Sequence, residues 1–372
     1  MAIAMVMTDV STSEERAQLT ARLAAARAAR GRADARLTGA IDDFFIPRDA
    51  RLDDRLRSAV SRLLAGLVGA IETELRRHAS RVLQGKGEHQ RADMLLGGHA
   101  EVETRLSRAG LLRDRRLMDE LIARARGDLM AQGLGATATT GDRASLLVRL
   151  ADDADGVVAS AAGALLVAET RRRSGNETGQ PLGSDLPAEL HHQLVWWVAA
   201  TIRETITARS GDDAQIDRAI VEAAQRNLAA HDESARPEAV AGRLAFALDP
   251  RPHELAPLLV EALGDRQLTL FVALLGRALD IDFDAVRAIV LEPEGDRLWL
   301  ALRAANLDRT TIATVALALA EADPRRDLEA FADELDAIMA VPPEAARSAL
   351  APLTLHHDLR LAIDALAREA RR

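Results

Sequence analysis

Nine histidines and 57 acidic side chains supply the residue types for acid–base or metal chemistry. Three groupings stand out: the doublet His191–His192, the pair His231–Asp232 and the run His356–His357–Asp358. A metal-dependent hydrolase built on helices needs a His, a His–Asp pair and a later Asp converging on one divalent ion. Those residue types are present, and His191 or His192 with His231 and Asp232 is the set that would carry the chemistry. Their spacing does not assemble it. Neighbouring residues on a helix diverge by about 100°, so each doublet turns only one imidazole toward any given site, and no fixed interval ties four ligands together. The expectation is that no histidine holds a catalytic metal and that no cofactor is bound.

Other catalytic signatures are missing. Gly85–Lys86–Gly87 is too short for a phosphate loop and has no Ser or Thr after the lysine. No Gly-x-Ser-x-Gly elbow occurs, and with no cysteine at all there is neither a thiolate nucleophile nor Cys-ligated zinc. Arg115–Arg116, Arg171–Arg172–Arg173 and Arg325–Arg326 could touch phosphates. Acidic residues lie close to most of them, however, and the net charge of −9 argues against nucleic acid as the partner. The expectation is therefore a chain that is not an enzyme and that works by binding another protein.

The residues best suited to that task are Trp196 and its neighbours. On a helix starting near Pro187, Leu190, Leu194, Trp197, Val198 and Thr201 form one stripe, which predicts Trp197 as core. Trp196 lines up with His192, Ala199 and Arg203 on a mixed face. Trp196, His192 and Arg203 are the candidate partner-binding residues, because Trp and Arg are enriched among residues that dominate interface energy.

The elements that must position these residues are helices. Apolar residues make up 48% of the chain and aromatics 2%, so the apolar content is mainly Ala and Leu, which favour helix over strand. At 372 residues the chain exceeds the usual single core of roughly 100–200 residues. Thr12 and Glu15 have capping-box spacing, opening an Ala-rich helix that runs to Gly31. Leu52, Leu56, Val60, Leu63, Leu67, Ile71 and Leu75 fall on one face of a long helix over 49–78, a framework helix or the pairing helix of a homodimer. The apolar run Met1–Met7 reaches Thr8–Asp9 too soon for a signal peptide or membrane span, which predicts a cytoplasmic chain with no membrane partner.

Leu147 and Leu150, the corner Asp152–Asp153–Ala154–Asp155, and Val157, Val158, Ala161, Ala162 and Leu165 read as one helix, an acidic cap and a second helix that packs closely through alanines. The pattern resembles the helix pair of HEAT-like repeats. Weaker echoes begin at Ala100–Glu101–Val102, Leu248–Asp249–Pro250 and Ala322–Asp323–Pro324. The polar stretch Arg171–Asp185 reads as a linker, and only Pro47 of the 12 prolines precedes it. Prolines at 187, 237, 293, 324 and 343 would then open short helices. The predicted organisation is an N-terminal helical region 1–173, a linker 174–186 and a C-terminal helical repeat region 187–372. Across that linker Leu190–His191–His192, Leu194 and Arg203–Glu204 recur 165 residues later as Leu355–His356–His357, Leu359 and Arg368–Glu369, as a duplication would leave them.

Leu190–Ala200 (LHHQLVWWVAA) together with Gly295–Asp308 (GDRLWLALRAANLD) resembles a bacterial family of unknown function with a HEAT-like helical fold. The resemblance covers most of the chain after about residue 90. It implies an α-helical repeat and carries over no catalytic residue. The fold expected is thus all-α, a degenerate HEAT- or armadillo-like array of stacked helix pairs. The function expected is a non-catalytic protein-interaction scaffold or regulator. The alternatives are a metal-dependent hydrolase of HD type and a nucleic-acid-binding helical-repeat protein.

Overall fold

The computed structural model describes residues 51–97, 101–135, 144–178 and 184–369. The helix expected from Thr12 to Gly31, the Met1–Met7 run and the start of the helix expected over 49–78 lie outside them. Among the described residues there are 17 α-helices and no strand, so the chain is all-α as its composition requires. The chain divides into two compact units, Met1–Arg57 and Ser58–Arg372. The second holds nearly all that is described here.

The long helix α1 (Asp54–Gly85) buries Leu56, Val60, Leu67, Ile71 and Leu75, most of the stripe expected from the sequence. After α2 (His89–Leu96) and α3 (Val102–Arg108) comes α4 (Arg115–Gly133), started by the Asp114 carboxylate, which accepts from the Leu117 amide at 2.9 Å. The acidic corner does what its sequence predicts. Helix α5 (Leu146–Ala151) stops, Asp155 accepts from the Val157 amide at 2.8 Å, and α6 (Gly156–Thr178) packs back on α5 with Val158, Ala162 and Leu165 buried. Helix α6 continues through residues 174–178 of the stretch read as a linker. Asp185 and Leu186, at its other end, are tied into the structure through ion pairs and burial respectively.

Helices α7 (Ala188–Ser210) and α8 (Ala214–Ala230) form a pair, and α3 packs on α7. Next come α9 (Pro237–Leu248), α10 (Pro252–Gly264) and α11 (Leu268–Leu279). Helix α11, LTLFVALLGRAL, has no charge before Arg277, and a helix apolar on every side has no face to give to water. It becomes the central rod: Phe271, Leu270, Leu274 and Leu275 are fully buried, and α4, α9, α10, α12 (Phe283–Val290) and α13 (Asp296–Ala304) all pack on it. Helices α14 (Arg309–Ala322), α15 (Leu328–Ala340), α16 (Pro343–Leu350) and α17 (His357–Glu369) complete the order. The end of α4 meets the end of α14 so closely that a Cβ on Gly133 would lie 2.7 Å from the Ala322 carbonyl oxygen, which only glycine allows. Of the prolines expected to open helices, Pro237 and Pro343 do so, Pro187 sits one residue before α7, and Pro293 and Pro324 lie between helices. No helix among the described residues is long and apolar enough to cross a membrane.

Candidate functional site

Helix α7 carries the residues singled out by the sequence. Its buried face consists of Leu190, His191, Leu194, Val195, Val198, Ala199, Thr201, Ile202 and Ile206, and α8 and α3 pack on this helix. Leu190, Leu194, Val198 and Thr201 of the stripe expected from the sequence are buried, and the core face is wider than that stripe. Val195 and Ala199 take the core, and Trp197 is only half-buried. Trp196 is half-buried as well, and its indole Nε1 lies 3.2 Å from Nε2 of the exposed His192, one turn back. Two adjacent tryptophans thus stand at the edge of a helix whose other side is locked in the core.

Arg203 sits at the end of the same mixed face, and its guanidinium is already engaged. Nη1 meets Glu204 at 2.8 Å, Nη2 meets Asp212 at 2.7 Å and Nε meets Asp217 at 3.2 Å. The hydrogen bonds to Glu204 and Asp217 raise its already high basicity further. Its arrangement clamps the corner between α7 and α8.

The histidine groupings separate. His191 and His231 come together, rings stacked with centroids 4.1 Å apart and planes 20° from parallel. Stacked imidazoles point their nitrogens past one another and do not converge on an ion. Asp232 is turned away: its carboxylate accepts from the amide and hydroxyl of Ser234 at 3.0 and 2.7 Å, capping a short turn. Among the described residues no three His or carboxylate groups gather in a way that could hold a metal. His356 is exposed, and Leu355 and Leu359 are exposed where their counterparts Leu190 and Leu194 are buried. The two similar segments therefore occupy different environments.

The most extended polar assembly among the described residues, which sequence reasoning missed, is a chain of ion pairs across α4, α6, α9, α12 and the segment before α7. Glu120 of α4 accepts from Arg236 at 3.1 Å and from Arg287 of α12 at 2.6 Å. One turn on, Arg124 pairs with Asp185. Arg172 of α6 bridges, giving Nε to Asp185 at 2.8 Å and a two-pronged contact to Glu238 of α9 at 2.6 and 2.9 Å. Arg236, the residue before α9, also donates to the Asp185 carbonyl at 3.0 Å. Burial alone would push the Glu238 carboxyl up, but Arg172 and then Arg236 overcome it and hold Glu238 far below the usual carboxylate range. Burial likewise works against the Arg172 charge, and Glu238 and Asp185 more than restore it. Beside this chain, burial lifts Glu169 of α6 to about 7 against the pull of Arg173 and Arg172. With the Gln267 amide turned to donate, its nitrogen lies 2.9 and 2.7 Å from the Glu169 oxygens. The signal available in the sequence was the i, i+4 pair Glu120–Arg124 on a helix otherwise apolar at those positions, where charges can persist only if paired.

These features define an all-α protein of many short helices around one apolar rod and a buried ionic chain. The model of a bacterial family described as "Uncharacterised protein conserved in bacteria (DUF2336)" matches residues 170–351, from within α6 to the first residue after α16. Searches of curated proteins and of solved structures returned no significant match.

Proposed function

We propose that this protein is a non-catalytic, cytoplasmic interaction protein, an α-solenoid-like scaffold or regulator that binds a partner protein through the Trp196–His192 face of α7. The observation that carries the reading is the Trp196–Trp197 step, left half-open on a helix whose opposite face is fixed in the core. A preorganised aromatic edge loses little freedom on binding, which is why Trp dominates many interfaces. Arg203 serves by holding the α7–α8 corner, while Trp196 and His192 supply the contact surface. Most of the apolar stripe of α1 is buried within a single chain, so the reading places the partner at α7 and leaves pairing of two chains through α1 without support.

The test is quantitative affinity purification of the full chain beside Trp196→Ala and His192→Ala. At least one protein should be enriched by the wild type and depleted about tenfold or more by Trp196→Ala, as loss of about 1.4 kcal/mol or more at a hot spot requires. Melting temperatures should stay close to wild type. A partner set indifferent to Trp196 would remove the reading.

A further inference from the structure

Buried polar atoms are nearly always hydrogen-bonded. Around His191, both its ring nitrogens, Nε2 of His231 and Oδ1 of Asn227 are shut off from solvent without a well-aligned hydrogen bond, and Asn227 is the one polar neighbour that favours the charged ring. His191 is 3% exposed. A neutral imidazole always carries one N–H, so one donor is held away from water with only Asn227 to meet it. The stacked geometry, 4.1 Å between centroids, suits two neutral rings and is penalised once either ring carries a charge that has left water.

The surroundings supply no compensating anion. On α7 the neighbour is His192, whose charge would oppose that of His191. On α8 it is Asn227, whose amide nitrogen is bonded to Glu74 of α1; further along, Arg226 and Glu222 act on His78 of α1. In the turn after α8, Asp232 is taken by Ser234, and Glu233 faces Arg236 at 3.5 Å. A proton arriving at the stack therefore meets no waiting carboxylate.

We propose that the His191–His231 stack is a proton-operated latch that holds the start of α7 against the end of α8, closed while His191 is neutral and opened when it is protonated. The direction follows from the environment: burial first, then His231, pushes His191 down to about 4 from 6.5, with Asn227 opposing. A group whose folded value is depressed in this way binds its proton more tightly in the open form. For a histidine, this means the closed form is fully favoured above about 6.5 and loses ground as pH falls toward 4. Titration of His191 alone shifts the opening equilibrium roughly 20-fold between pH 7 and pH 5.

Hydrogen exchange followed by mass spectrometry on the full chain at pH 7, 6 and 5, corrected for intrinsic exchange rates, tests this. Peptides covering Ala188–Leu194 and Leu228–Arg236 should lose protection on the order of 20-fold between pH 7 and 5, while α11 keeps its own. His191→Phe should abolish the pH dependence. His231→Phe, which keeps His191 buried but removes the second ring, should reduce it, and it provides the comparison if the first variant fails to fold. Unchanged protection at pH 5 in the wild type overturns the latch, as does uniform loss across all helices, a loss that survives in folded His191→Phe or a loss undiminished in His231→Phe.

Discussion

The two-pronged Arg172–Glu238 contact is the place to test whether the buried ionic chain acts as a unit. Both side chains are about nine-tenths buried, and the two hydrogen bonds measure 2.6 and 2.9 Å. Removing one partner of a buried pair leaves the other uncompensated, at a typical cost of about 3–5 kcal/mol. Glu238→Leu leaves Arg172 with Asp185 alone, and Arg172→Met leaves Glu238 with Arg236 at 3.8 Å. Each single variant should therefore lose about 3 kcal/mol or slightly more, a large part of the 5–15 kcal/mol typical of a folded domain. The double variant behaves differently. With both gone, Asp185 keeps Arg124 and Arg236 keeps Glu120, so no charge is stranded and a Met–Leu contact replaces the pair. Its loss should fall well short of the sum of the singles, with a coupling energy of about 2 kcal/mol or more. Urea unfolding of the four proteins, followed by far-UV circular dichroism at pH 7, measures the cycle. Additivity to within about 0.5 kcal/mol would refute the idea that the two charges depend on each other.

Two further outcomes follow from the same packing. Glu169 is lifted to about 7, so its protonated form is the one the fold favours, and stability contributed below the unfolded value of 4.5 is lost as pH rises through 7. Glu169→Gln should match the wild type near pH 4.5 and exceed it by about 1–3 kcal/mol at pH 8 in urea melts; equal curves at both pH values would count against the assignment. Gly133→Ala forces a Cβ to 2.7 Å from the Ala322 oxygen, so the α4 and α14 ends must separate at a cost of about 1–3 kcal/mol. A denaturation midpoint indistinguishable from wild type would show that those ends are free to move.

What the sequence determined by itself was local. The Ala- and Leu-rich composition and the 3.6-residue apolar period require helices. Asp corners such as Asp152–Asp155 and Asp282 mark helix starts, because a short carboxylate satisfies the free amides of a first turn, as Asp282 does for Ala285 at 2.8 Å. The charge-free run Leu268–Gly276 has no face suited to water, but only the packing of α4, α9, α10, α12 and α13 makes it the central rod. Period placed Leu190, Leu194, Val198 and Thr201 of α7 in the core but left the width of its buried face open. Val195 and Trp197 lie on opposite flanks of that stripe, and which flank is covered depends on where α8 and α3 approach, which is information held outside the helix. The charged residues were legible only as composition. Arg172, Glu238, Asp185, Glu120, Arg236 and Arg287 look like solvated charges in the sequence, since burial of an ion is acceptable only when a partner from another element arrives within hydrogen-bonding distance. His191 and His231 are 40 residues apart and were both singled out for chemistry. The tertiary structure brought them together, but in a stacked arrangement, because the α7–α8 turn sets ring planes that chain spacing cannot specify.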